Sequence, residues 1–190
     1  MTSVLEHPVE TDGIERLAQA RALRRRWARD AMLLRTIDPD AVADTATLGR
    51  LPHWAEAPPA ARMRLAVLSG AVLLSHRLRH TIDGRVLSAL AAMLGEHQLD
   101  AVLALPGRVP PPDALDADDD PIEQLHALGG EVLVRSVDAP ASIRDELARL
   151  FPRREPAVHA DQATLRRIAK DALMIWARNE PSRALQEAER

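Results

Sequence analysis

The sequence predicts an all-α protein: a single globular helical domain with a proline- and aspartate-rich loop and flexible termini. Two observations carry that expectation. Apolar residues recur every three or four positions along most of the chain, the period that lines one side of a helix. The stretch from Met63 to Leu105 is the longest apolar-rich segment, and it contains no proline. The boundaries this predicts are a tail over 1–12, a helical domain over 13–180 and a charged tail over 181–190. Within the domain the core falls at 60–105, the loop at 106–121 and the C-terminal helices at 122–180.

Composition narrows the function classes. A chain of 190 residues can bury roughly 70% of the surface it exposes when unfolded. The absence of cysteine excludes thiol catalysis, Cys-ligated zinc and iron–sulfur clusters. With 25 basic and 28 acidic residues the net charge is −3, unlike the basic domain expected of a general nucleic-acid binder. Trp27, Trp54, Trp176 and Phe151 are the only aromatic residues besides histidine, too few to build a stacking platform for bases. The opening MTSVLEHPVETDGIE is acidic and lacks the apolar region of a secretory signal. The most apolar run, Leu65 to Leu74, is ten residues, against about 20 needed to span a bilayer. These features predict a cytoplasmic protein able to dock on a membrane complex.

A first helix is expected from Ile14 to Ile37. Leu17, Ala20, Leu23 (or Arg24), Trp27, Ala31 and Leu34 form its inward stripe. Asp12-Gly13 marks its start, and Asp38-Pro39 its stop. Arg21, Arg25 and Arg29 recur at a spacing of four on the outer side, with Arg24 and Arg26 beside them. They form either a solvated basic face or a docking face for an acidic partner. Prolines and Gly49 then break the chain, leaving room for a short turn at Asp40–Ala46. In Leu51-Pro52-His53-Trp54 the tryptophan is expected to pack on the core.

Pro58-Pro59 starts the central helix, since proline suits a first helical turn. Val67, Ala71, Leu74, Leu78 and Ile82 form one stripe of the core; Leu87, Leu90, Ala91 and Leu94 form another. From Leu65 to Leu74 the helix is apolar nearly all round, so neighbours must cover several of its sides. Ser69-Gly70 in its middle would let another helix come close. His76, Arg77, Arg79 and His80 face outward or flank the seam. Asp83-Gly84 separates the two stripes, and Gly95 ends the second helix. Leu99, Val102, Leu103 and Leu105 then point inward. The loop PGRVPPPDALDADDDP holds five prolines and five aspartates, and its end caps the next helix. That helix, Ile122 to about Val137, turns Leu125, Leu128, Val132 and Leu133 inward. Gly129-Gly130 leaves a strand over EVLVRSV open as the alternative. Ser142 caps Ile143–Phe151. Asp161 begins the last helix, with Leu165, Ile168, Ala172, Leu173 and Trp176 on one face and Pro181 beyond its end.

A search for chemistry yields no catalytic, cofactor-binding or metal-binding residues. His76 and His80 have the i, i+4 spacing of paired metal ligands, but HRLRH lacks the glutamate of HExxH. DADDDP lacks the alternating ligands and glycine of a calcium loop. Neither a glycine-rich phosphate loop nor a nucleophile elbow is present, and Glu155 and Asp161 lie in connectors. The protein is therefore expected not to be an enzyme. A helical DNA-binding transcriptional regulator is the alternative from another class. Against it, Asp83-Gly84 joins HRLRH to an almost uncharged helix expected to be buried rather than inserted in a groove.

The stretch LAVLSGAVLLSHRLRHTIDGRVLSALAAMLGEHQLDAVL resembles the SctK (YscK, PscK) family of bacterial type III secretion proteins. In both, an apolar helix, a short basic patch, a turn and a leucine-rich helix follow one another. IEQLHALGGEVLVRSVDAPASIRDELARLFP after the proline-rich connector is similar to the family's later helices, and RLPHW to the element before its core. The resemblance covers Leu48 to Pro152; the arginine-rich N-terminal helix departs from it. It implies a non-enzymatic adaptor of the cytosolic sorting platform, peripheral at the inner membrane. Such an adaptor bridges the ring protein SctD to the pod protein SctQ, and through SctQ reaches SctL and the ATPase SctN. No family residue carries over singly. Arg21, Arg25 and Arg29 are partner-binding candidates from expected exposure alone.

Overall fold

A computed structural model describes residues 9–37, 51–80, 84–106, 120–152 and 158–179. The expected turn at Asp40–Ala46, Ile82, most of the aspartate loop, Glu155 and the terminal stretches lie outside them. The chain is all-α. Helices α1 (Val9–Ile37), α2 (Pro59–Leu73), α3 (Ser75–His80) and α4 (Gly84–Leu94) are followed by α5 (Glu96–Leu103) and α6 (Pro121–Ser136). Helices α7 (Ala141–Ala148) and α8 (Gln162–Asn179) follow, and a 3-10 turn spans His53–Glu56. No strand occurs among the described residues. EVLVRSV is helical through Ser136.

Helix α2 is the axis of the packing. Every residue from Leu65 to Ser75 is buried, as the all-round apolar sequence requires. Its most extensive contact is with α6, then α8, with α3, α4 and α5 closing the remaining sides. The α2–α6 approach is set by two glycines. A Cβ on Gly129 would lie 1.7 Å from the Ala66 carbonyl oxygen, and one on Gly70 would lie 2.3 Å from that of Leu125. The two backbones touch where any side chain would hold them apart. Gly130, one step further round α6, makes room for Phe151, whose Cβ would be 2.6 Å from an added methyl. Phe151 itself stands 5.7 Å from the Trp54 ring and 6.0 Å, edge-on, from His126. Burial pushes the His126 imidazole below its ordinary value, and Glu123 partly opposes the shift.

Polar groups fix the ends. Asp120 accepts the Ile122 N–H at 2.8 Å and caps α6. Asp161 accepts the Thr164 N–H at 2.8 Å and its hydroxyl at 2.9 Å, which caps α8 and holds this carboxyl below the usual carboxylate range. Gly95 has φ of 89°, a conformation that suits glycine, and it separates α4 from α5 as expected. Leading into α8, Val158 is tied to α6. Its N–H donates to both Glu131 carboxylate oxygens, at 2.9 and 3.0 Å. Arg135 pairs with Glu131 at 2.9 Å and donates to the carbonyls of Val158 and Ala160.

Several elements differ from the sequence expectation. Helix α1 begins at Val9, inside the stretch read as a tail; one glycine costs a helix only about 1 kcal/mol, so Asp12-Gly13 does not delay its start. The central helix is interrupted at Leu74, where φ −94° and ψ 12° separate α2 from α3. Ser142 caps nothing: Pro140 precedes the helix, and Ser142 is exposed in its first turn. Helix α4 is amphipathic rather than sheathed, with Leu90 and Leu94 buried and Arg85, Ser88 and Ala92 exposed.

The crossing predicts opposite outcomes for one chemical change. Gly129→Ala should destabilise the fold by about 2 kcal/mol or more, since overpacking outweighs the roughly 1 kcal/mol gain in helix propensity. Gly84→Ala, with nothing within 4 Å of the added methyl, should be neutral or stabilising. Urea denaturation of the two variants decides; a neutral Gly129→Ala would contradict the crossing.

Candidate docking surface

Among its described side chains, helix α1 is held through its C-terminal half. Asp30 and Leu34 are buried, Trp27, Ala31 and Leu33 are half-buried, and the helix packs against the 3-10 turn and α7. Two arginines fasten it. The Arg26 guanidinium donates to the Leu51 carbonyl at 3.2 Å, and Arg29 pairs with Glu56 at 3.4 Å. Every residue from Ala18 to Arg25 is exposed. The expected inward stripe is therefore corrected at Ala20 and Leu23, the latter 46% exposed; the Leu17 side chain lies outside the described residues. Apolar spacing shows which side of a helix can be covered, and here no described element reaches far enough to cover it.

The three candidate arginines thus divide. Arg21 and Arg25 are exposed on the part of α1 that stands away from the core. Arg29 is also exposed, but its guanidinium is engaged by Glu56, so it mounts the helix as well as decorating it. Arg26, expected only beside the basic face, is a second mounting residue. Sequence reasoning did not single out Met32, which is 72% exposed among these arginines, or Arg35 near the end of the helix. The four- and three-residue spacing that found the arginines also reaches both.

The other candidates have ordinary surroundings. His76 and His80 are exposed, with ring centroids 4.9 Å apart. Among the described residues no three His, Asp or Glu side chains gather as metal ligands. No described helix is long and apolar enough to cross a membrane. Ser69 is buried in α2 and donates to the Leu65 carbonyl at 2.9 Å. An open hollow of about 750 Å³ lies between the 3-10 turn, the α6–α7 connection and α8, lined by Pro52, Trp54, Val137 and Leu173. A shallower one of about 350 Å³ continues along α8 past Leu173 to Met174 and Ala177. Trp54 is buried in the core, as the sequence suggested.

No protein-family model matches this sequence, no curated protein matches it, and no solved structure matches the chain. The candidates therefore rest on exposure, charge and the way α1 is mounted.

Loosening that mount should free α1 without unfolding the core. In Arg26→Ala/Glu56→Gln, unfolding free energy should fall by less than about 2 kcal/mol, the sum of one hydrogen bond and one surface ion pair. A dye on Met32→Cys, unique in a chain without cysteine, should show lower anisotropy in that variant. Unchanged anisotropy would contradict mounting by these two residues.

Proposed function

We propose that the protein is a non-enzymatic adaptor of the cytosolic sorting platform of a bacterial type III secretion system. In this reading it works in the cytoplasm, peripheral to the inner-membrane apparatus. It bridges SctD to the SctQ pod, and through the pod it reaches SctL and the ATPase SctN. The observation that carries the reading is the way α1 is mounted. A packed core holds a long basic helix by its C-terminal half, and the exposed stretch from Ala18 to Arg25 presents Arg21, Arg24 and Arg25 to a partner. The stretch that resembles the SctK family, Leu48 to Pro152, supplies α2, α4 and α6 and thus most of that core. An adaptor needs these two parts, a stable body and an outlying contact surface. Complementary charge would steer the encounter more than set its affinity.

Co-purification with SctQ and the cytoplasmic domain of SctD from the same genome tests the proposal. Both should be captured, and Arg21→Glu/Arg25→Glu should weaken capture about tenfold, roughly 1.4 kcal/mol, with thermal unfolding unchanged. Failure to capture either protein, or retention on random DNA in about 150 mM salt, would favour a DNA-binding regulator instead.

A further inference from the structure

Helix α1 has a second, outward pattern. Arg21, Arg25, Ala28, Met32 and Arg35 follow at steps of four, three, four and three, which keeps them on one side of a helix. All five are exposed, and the side opposite carries the buried Asp30 and Leu34. Between Ala18 and Thr36, Asp30 is the only carboxylate in the sequence. Among the described residues Arg21, Arg25 and Arg35 pair with no carboxylate, whereas Arg29 is held by Glu56. Within the stripe, between Ala28 and Arg35, Met32 is 72% exposed, against 46% for Leu23 and 44% for Met174.

We infer that this outward face docks an acidic amphipathic helix of a partner protein, with Met32 as apolar anchor and Arg21, Arg25 and Arg35 receiving its carboxylates. The inference rests on the reading that the protein acts by docking. The stripe runs about 21 Å at 1.5 Å per residue, a length that a second helix laid along it would match over about four turns. Guanidinium groups grip carboxylates bidentately, and the flexible thioether adapts to an apolar row between them. Ala28 beside Met32 leaves room for the partner's side chains. The same face suits nucleic acid poorly: it carries no aromatic ring for stacking, phosphates give Met32 nothing apolar to cover it, and the net charge of −3 opposes a polyanion. One large apolar side chain on the stripe is also too little to seat the helix in lipid.

The test uses the full-length chain and a synthetic helical peptide of about three heptads, with a leucine stripe flanked by glutamates. Competing probes are the same peptide scrambled, duplex DNA and phosphatidylserine vesicles. The amphipathic peptide should bind with micromolar affinity, about tenfold more tightly than the scrambled one. Arg21→Glu/Arg25→Glu should slow association about tenfold and flatten its salt dependence. Met32→Ser, at an exposed position, should speed dissociation about fivefold and leave association unchanged. Equal affinity for the scrambled peptide, no effect of Met32→Ser, or tighter binding of DNA or vesicles would each overturn the inference. Capture of SctD and SctQ that survives both variants overturns this face and spares the adaptor reading. Peptide binding with these losses, but no capture of either protein, does the reverse.

Discussion

The structure depends on the close contact between α2 and α6. Two backbones meet at Gly70 and Gly129 at a distance no side chain permits. Glycine inside a helix costs about 1 kcal/mol of propensity at each position. The cost is offset by what the contact allows: Leu65, Leu68, Leu125, Val132 and Leu133 close round it, all fully buried. Dispersion between closely packed chains falls steeply with separation, so an opening of even 1 Å would weaken the whole seam. Gly130 extends the same economy of size to a second neighbour, giving Phe151 a seat between Trp54 and His126.

The remaining helices are arranged around that seam. Glu131 and Arg135, on the outer side of α6, bind the connector at Val158 and Ala160 and so set where α8 begins. Helix α8 then covers α2 and α6 with Leu165, Ile168, Ala172 and Ile175. The segment from Leu51 to Glu56 brings Trp54 into the core and offers the Leu51 carbonyl and Glu56 to α1. Helix α1 is thus fastened to the body by its C-terminal half.

Much of this was legible in the sequence because it follows from local rules. Pro59 at a helix start, Asp120 and Asp161 as caps, and Gly95 between two helices each depend on a few adjacent residues. The apolar run Leu65–Leu74 announced a helix covered on every side. Gly129-Gly130 was ambiguous for a physical reason: glycine disfavours an isolated helix, and only the neighbour across the seam shows why it is there. The exposure of Ala20 and Leu23 was beyond periodicity, which identifies a coverable face without supplying its cover. The candidate surface was partly legible. The spacing of Arg21, Arg25 and Arg29 marked an exposed side of α1, but not that Glu56 engages Arg29 or that Met32 stands exposed beside it.

The body is built on a fully buried stretch, Leu65–Ser75, whereas the α1 stretch from Ala18 to Arg25 buries no side chain. Backbone stability differs across a protein according to buried contact, and amide exchange reads that difference directly. Hydrogen exchange of the full-length chain should show the Leu65–Leu73 and Leu125–Val134 amides exchanging slowest, at rates set by the global unfolding free energy. Amides from Ala18 to Arg25 should exchange at least about a hundredfold faster than those from Asp30 to Leu34. Uniform protection along α1, equal to that of α2, would contradict the account.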